Sequence, residues 1–568
     1  MRVRMAPSPT GPLHIGTART SLYNFLAARH VGGTFVLRIE DTDAARSSVE
    51  FERDIVDNLH WLGLSWDEGP QVAGGEDIGE RGPYRQSQRM ERYAAEADRL
   101  LASAAAYRCW CTPDELDAVR REQEARREAP RYNGRCLSLA EAEVAAFEAD
   151  GRRPAIRFRV APETIRFDDL IRGEVEFDNA LLGDFIIVRN DGMPLYHFVV
   201  VVDDEAMGIT HVIRGEDHLS NTPKHIALIR ALGYREPAFG HIPLILNPDR
   251  SKMSKRKSQT AMTAYREDGY LPEAMVNFLA FLGWSPGTEE EIFTLEQLVE
   301  RFEIARVHKG GAVFDRERLD HLNGVYIRAL SDEQLALRLR PWVPDAVRDD
   351  DLVRIVPLVK ERLVRLGDVV DLVAFVWEPD EVVAAWYGPE LLHPKKGGPE
   401  EARIALERAH EAFAELEDAD FSADLLEQRA REAADAAGAK PGDFFAPIRV
   451  AVTGRTVSPP LFASLELLGR DRALARIRTA LDRLAERARH LPSASARGRK
   501  PIGGAKAPDR RCREAGSPGR VWDRLCSNPA IYREARVLFG RPVRGAGSPQ
   551  AISDARAPDR IRPRLRQA

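Results

Sequence analysis

A histidine two residues ahead of a glycine, His14-Ile15-Gly16, follows a turn built from Pro7, Pro9, Gly11 and Pro12. Helical spacing begins just beyond it, with Leu22, Phe25, Leu26 and Ala28 leading to His30. A helix N-terminus favours anions, and a histidine there can donate to a phosphate. Gly16 removes a side chain where another body would approach the backbone. A second group lies far downstream, Ser251-Lys252-Met253-Ser254-Lys255-Arg256-Lys257. Lysine is a mobile point charge suited to polyphosphate in a transition state. Taken singly, the first group reads as an ordinary turn and helix start, the second as a solvated basic loop. Their specificity lies in the pair.

The elements that must position them read as an α/β sheet. Residues 2–6 form a strand ending in the Pro/Gly turn, and the helix up to His30 is stopped by Gly32-Gly33. Thr34–Ile39 is a second strand, with Glu40-Asp41-Thr42-Asp43 at its carboxyl end. Parallel sheets bind ligands beyond those ends, where both the turn and Glu40 fall. Residues 51–64 and 88–106 read as helices around a Gly-rich loop from Gly69 to Pro83. From 107 to 190 the texture changes to a Cys-rich turn, a charged helix at 114–128 and short strands at 156–160 and 184–188. It reads as an insertion that splits the sheet. Residues 195–202 read as a buried strand, Ile213–Asp217 as the end of another, and 223–232 as a helix. A further strand near Ile242–Leu246 leads into the turn Asn247-Pro248-Asp249-Arg250. Beyond about 265 the pattern is mainly helical. After about 488 Gly, Pro, Ser, Ala and Arg dominate without period, and the segment is expected to be disordered.

A chain of 568 residues exceeds one ordinary core, and length alone suggests about three to four domains. Met1–Arg4 leads into a turn rather than an apolar signal region, and the longest apolar run, Phe198–Val202, is too short to cross a bilayer. Neither a secreted nor a membrane protein is expected. The net charge of -5 is uneven: residues 490–568 carry 18 Lys+Arg and 6 Asp+Glu. Local patches, not this sum, decide whether nucleic acid binds. The five cysteines, Cys109, Cys111, Cys136, Cys512 and Cys526, form no disulfide framework, so a reducing cytoplasm is expected.

The ordered motifs resemble those of the glutamyl-tRNA synthetases, class I aminoacyl-tRNA synthetases. Ala6–Thr17 is similar to their HIGH motif and Lys252–Arg256 to their KMSKS loop. Arg38–Asp43, Tyr84–Ser87, Val202–Asp204, Val212–Pro223 and Phe314–Leu319 add to the resemblance, which runs from residue 2 to about 488. It implies activation of L-glutamate by ATP, with Mg²⁺, to glutamyl-adenylate, then transfer to the terminal adenosine of tRNA(Glu). It also implies a Rossmann-type parallel sheet split by an acceptor-binding insertion and followed by a helical anticodon-binding region. The expected segments are 1–89 and 189–246 (catalytic halves), 90–188 (insertion), 247–331 (stem contact), 332–488 (anticodon region) and 489–568 (basic tail).

Residue roles follow from the same resemblance. His14, Gly16, Lys252 and Lys255 are the implied catalytic residues. ATP is expected to meet Pro12, His14, Gly16, Thr17, Lys252, Ser254 and Lys255; Thr17 stands where the motif name has its second histidine. Arg4, Ala6, Ser8, Glu40, Tyr196 and Arg214 match glutamate-pocket positions. Arg4 can fork onto a carboxylate and Glu40 can pair with the α-amino group. Some relatives bind zinc through C-x-C and C-x-H. Here Cys109, Cys111 and Cys136 are present, but Ser138 replaces the histidine. Zinc completed by water, Glu141 or Glu143, and a metal-free site, both stay open. Lys360, Arg362 and Arg365 are candidate contacts to tRNA, against the simpler reading that such charges are solvated. A monomer is expected. A glutaminyl-tRNA synthetase is the nearest rival; Ala6–Gly11 and the helical C-terminal half argue against it. A tRNA-binding protein without catalysis is the other, against which the retained His14, Gly16, Lys252 and Lys255 argue. The tail could add nonspecific tRNA affinity; an extension without function is the simpler reading.

Overall fold

A computed structural model describes residues 1–71, 75–253 and 259–490, with side chains to 487. Ser254, Lys255 and the tail from 491 lie outside the described residues. Strand β1 (Arg2–Met5) pairs in parallel with β2 (Thr34–Leu37), in register Val3 to Phe35 and Met5 to Leu37. Helix α1 (Ile15–His30) makes the crossover, and twelve of its residues are buried. It is therefore a central helix whose buried residues include the polar Arg19, Thr20, Ser21 and Asn24 beside Leu22, Phe25 and Leu26, and only its ends reach solvent. The expected strand, helix and strand are thus present.

The run expected as a buried strand at 195–202 is helical: α2 spans Tyr196–Ala206. Val199 to Val202 are all at most 3% exposed. A segment buried on every side loses the alternation that separates strand from helix. The helical penalty of valine, below about 0.7 kcal/mol per residue, is small beside the burial of each side chain. α2 ends at Gly208, whose φ of +65° completes the C-terminal turn.

Strands β5 (His211–Gly215) and β6 (Ala238–Ile242) are parallel and joined by helix α3 (Thr222–Leu232). Thr210 donates its N–H to the Arg2 carbonyl at 3.0 Å, which sets this pair beside β1. The insertion divides in two. Its strands Ala106–Cys109, Ala155–Phe158 and Phe185–Val188 form an antiparallel sheet of their own. Its hairpin, β3 (Thr164–Asp169) and β4 (Gly173–Asp178), instead extends the sheet of β5 and β6 through a pairing of Asp169 with Phe239.

The cores draw on distant stretches of the chain. One joins Val3, Leu22 and Phe35 to Met275, Phe278 and Trp284. A second joins Tyr93 and Phe158 to Phe198 and Val212. Two further cores lie in the helical C-terminal half. Arg476, 2% exposed, donates to the carbonyls of Phe375 and Val452 and so ties these two together. Among the described residues, no helix is long and apolar enough to cross a membrane.

Candidate active site

A cleft of about 690 Å³ opens at the carboxyl ends of β1, β2 and β5. Eleven of the expected site residues line it: Arg4, Ala6, Ser8, Pro12, His14, Gly16, Thr17, Glu40, Tyr196, Arg214 and Lys252. Lys255 and Ser254 lie outside the described residues.

On the wall built by α1, His14 is the N-cap, and its Nδ1 accepts the Gly16 N–H at 3.0 Å. The ring proton is therefore on Nε2. A Cβ on residue 16 would lie 3.2 Å from that same Nδ1. A side chain at 16 would therefore crowd the histidine's own ring, which would have to shift by a few tenths of an ångström. The turn is bolted to the chain beyond the basic loop. Ile15 donates its N–H to the Thr260 carbonyl at 2.8 Å, and Met262 to that of Leu13 at 2.9 Å. On the other side of the loop, Met253 donates to the Ile245 carbonyl at 3.1 Å. Both flanks of residues 254–258 are thereby held against the cleft. Asp54 reinforces this joint, accepting from the Leu13 N–H and from the Thr263 hydroxyl. Lys252 pairs with Asp217 at 3.4 Å, both side chains being about half exposed. Such a pair is worth at most about 1 kcal/mol and is readily exchanged for a phosphate.

The opposite wall carries buried charge. Arg4 pairs with Asp204 at 3.2 Å. Arg38, fully buried, donates to Asp204 at 2.7 Å and to Glu40 at 3.2 Å. Asp203 is satisfied separately by Arg89 at 2.6 Å, Gln86 at 2.8 Å and Tyr93 at 2.9 Å. Burial works to raise the Asp204 carboxyl, but Arg4 and Arg38 outweigh it and hold it below the usual range. For Glu40 burial wins, and its carboxyl is pushed up despite Arg38 and Arg4. Tyr196 meets His218 Nδ1 at 3.1 Å, and burial pushes its phenol up to about 12. Arg214 donates to Thr222, His225 and His241 at 2.9, 3.1 and 3.2 Å. Among the described residues no carboxylate lies within 4 Å of it. Ser8 is at the exposed rim.

Residues 1–321 match the family described as class I tRNA synthetases (E and Q), catalytic domain, and residues 334–481 match an anticodon binding domain. The chain belongs to the class I tRNA synthetases of the glutamate and glutamine type. A glutamate–tRNA ligase of Symbiobacterium thermophilum is 45% identical over 494 residues, 84% of this chain and 99% of the relative. One from Acidothermus cellulolyticus is 46% identical over 492 residues, 84% and 95% of the two chains. A solved glutamate tRNA ligase from Elizabethkingia meningosepticum, in complex with its amino acid, superposes with a TM-score of 0.71 at 34% identity, covering 85% of this synthetase and 99% of that chain.

The expectations missed the groups that hold the cleft's charges. Arg38, Asp204 and Thr222 lay inside recognised stretches without a role. Asp54, Asp169, His225 and His241 carried no local signal. A third cluster lies in the insertion, where the Sγ atoms of Cys109, Cys111 and Cys136 sit within 4.8 Å of one another and could hold a metal ion. Glu143 does not reach them, since its carboxylate caps its own helix at the Ala140 N–H, 2.9 Å away. The hydroxyl of Tyr132 lies 3.6 Å from both Cys109 and Cys111 instead. The three cations singled out in the helical half are engaged within the fold. Lys360 bonds the Leu330 carbonyl and Asp332, Arg362 the Ser458 carbonyl, and Arg365 pairs with Asp368.

Proposed function

We propose that this synthetase is a glutamate–tRNA ligase, monomeric and cytoplasmic, that forms glutamyl-adenylate from ATP and L-glutamate and passes the glutamyl group to tRNA(Glu). One observation carries the reading. A single cleft has a His-capped helix N-terminus and the flanks of a basic loop on one wall, and a pocket of paired and unpaired buried charge on the other. An amino acid with two carboxylates fits that second wall. Arg214 offers an uncompensated cation, and the Glu40 carboxylate can take the α-amino group. Arg4, already partnered by Asp204, offers a screened cation for the other carboxylate. The α-carboxylate oxygen attacks the α-phosphorus, the adenylate bond forms, and pyrophosphate leaves. His14 Nε2–H donates to the charge growing on the α-phosphate, aided by the N-terminus of α1. Lys252 and Lys255 follow the departing phosphates. Mg²⁺ enters as the counter-ion of ATP. The insertion and the helical region from 332 to 488 are assigned to the acceptor end and anticodon of the tRNA, the latter supported by the anticodon-domain match.

ATP–pyrophosphate exchange tests this. Exchange is expected with glutamate when tRNA(Glu) is present, and not with glutamine. Absence of exchange while tRNA still binds would remove the enzyme reading.

The thiol cluster is assigned to zinc, with Tyr132 as the fourth donor in place of the missing histidine. Cys111 and Cys136 Sγ are 3.6 Å apart. That is close to the roughly 3.8 Å edge of a tetrahedron with 2.3 Å bonds. Arg157 stacks on the Tyr132 ring at 3.8 Å and fixes its direction. Zinc bound there would brace the insertion. Elemental analysis of the purified protein is expected to give close to one zinc per chain, falling several-fold in Cys136→Ser. Equal zinc in both proteins would refute the site.

A further inference from the structure

Two arginines in the cleft are partnered in opposite ways. Arg4 faces the carboxylate of Asp204 at 3.2 Å. Arg214, only 5% exposed, has neutral partners throughout. Its Nε–H goes to His241 Nε2, its Nη1 to His225 Nδ1 and its Nη2 to Thr222 Oγ1. A guanidinium carries five N–H groups, so Nη1 and Nη2 each keep a second one. Arg19, also buried in this wall, likewise has neutral partners, the carbonyls of Leu282 and Pro243, but these are main-chain groups that tie α1 to the chain beyond β6.

The acceptors are themselves fixed. Since His241 Nε2 accepts, its proton is on Nδ1, which faces the fully buried Asp169 carboxylate at 2.5 Å. Asp169 is held in turn by the N–H groups of Ile171 and Arg172 at 3.0 and 2.9 Å. His225 accepts on Nδ1, so its Nε2–H donates to His197 Nδ1 at 3.1 Å. Burial lowers His225 far below its ordinary value and carries His197 down to about 4, so both rings are neutral at pH 7. Burial also lowers His241.

A buried arginine ordinarily takes a carboxylate partner, because an unpaired buried charge is costly. A carboxylate here would orient Arg214 equally well but would cancel its charge. We propose that Thr222, His225 and His241 are positioning residues for substrate selection, which orient Arg214 through neutral acceptors and so reserve its charge for the side-chain carboxylate of the substrate. The cost of the unpaired cation is relieved when an acidic amino acid binds. A neutral carboxamide cannot relieve it, so selection between the two is built into the partners of Arg214. Asp169 acts one bond further out and locks His241 in the accepting tautomer. This rests on glutamate as the substrate.

The test compares near-isosteric variants that differ in charge alone. Thr222→Asp is set against Thr222→Asn, and His225→Glu against His225→Gln, in the full chain with tRNA present. Thr222 is the first residue of α3, where an acidic side chain complements the helix dipole, so folding of that pair is protected. Within each pair the acidic variant is expected to show a glutamate KM at least about 20-fold above the neutral one, with the ATP KM differing less than about threefold. Loss of structure alone would move both constants. Equal glutamate KM within the Thr222 pair, both proteins folded by circular dichroism, would overturn the proposal. If the parent exchanges with no amino acid or with glutamine instead, the glutamate reading falls first and takes the proposal with it.

Discussion

Arg214→Gln is expected to raise the glutamate KM by about 10²-fold while the ATP KM changes by less than about threefold. Gln keeps neutral donors in the pocket but removes the charge. Truncating one partner of a desolvated, hydrogen-bonded charge pair costs about 2–5 kcal/mol, and each 1.4 kcal/mol is a factor of about ten. The estimate sits inside that range because Arg4 remains to attract a carboxylate, though its own charge is largely spent on Asp204. Steady-state exchange over a range of glutamate concentrations measures it. A glutamate KM within about threefold of the parent would mean that Arg214 does not meet the substrate. If kcat fell with KM unchanged, the charge would act only in the transition state, and Arg214 would belong with the phosphates rather than the amino acid.

The first strand, helix and strand were legible because each carries its own signal. The helix has a period and a Gly-Gly stop, and the strands are short apolar runs ending in turn residues. The cleft residues were legible for a different reason. His14, Gly16, Lys252 and the pocket residues sit in contiguous motifs, and the α/β topology brings the carboxyl ends of three strands together around them. What stayed hidden is of two physical kinds. The Val199–Val202 run is buried on all sides, and such a run has no polar face to reveal a period of 3.6 rather than 2. Asp169 and His241 are 72 residues apart and meet only because the hairpin of β3 and β4 leaves the insertion to join β6. Tyr132 likewise reaches the thiols from 21 and 23 residues away. A single polar residue whose partner is set by tertiary pairing leaves no trace in local spacing.

Arg38→Met should be the most destabilising change in the cleft, by about 3–5 kcal/mol at neutral pH. Arg38, fully buried, does not itself line the cleft, yet it donates to Glu40 and Asp204 and lies 3.7 Å from Asp203. Methionine fills similar space but leaves these carboxylates with less compensation in a dry wall. The sign of the pH dependence follows. In the parent, Asp204 is held below the usual range, so its contribution is present above the unfolded value near about 4 and is lost as pH falls through its lowered native value. Glu40 is already raised by burial, so its ionised form costs stability as pH rises. Without Arg38 both carboxyls move up. The native variant then binds more protons than its unfolded chain above about pH 4, over the range in which these raised carboxyls titrate, and its stability falls as pH rises there. The gap in melting temperature between parent and variant is therefore expected to be widest near neutrality and to narrow toward pH 5. Melting curves at several pH values, followed by circular dichroism, measure that gap. A constant gap would show that the lost packing of Arg38, not its charge, holds the wall together. Arg38→Lys, which keeps one charge but not the fork, should recover only part of the loss because one ammonium cannot bridge Asp204 and Glu40 with the same geometry.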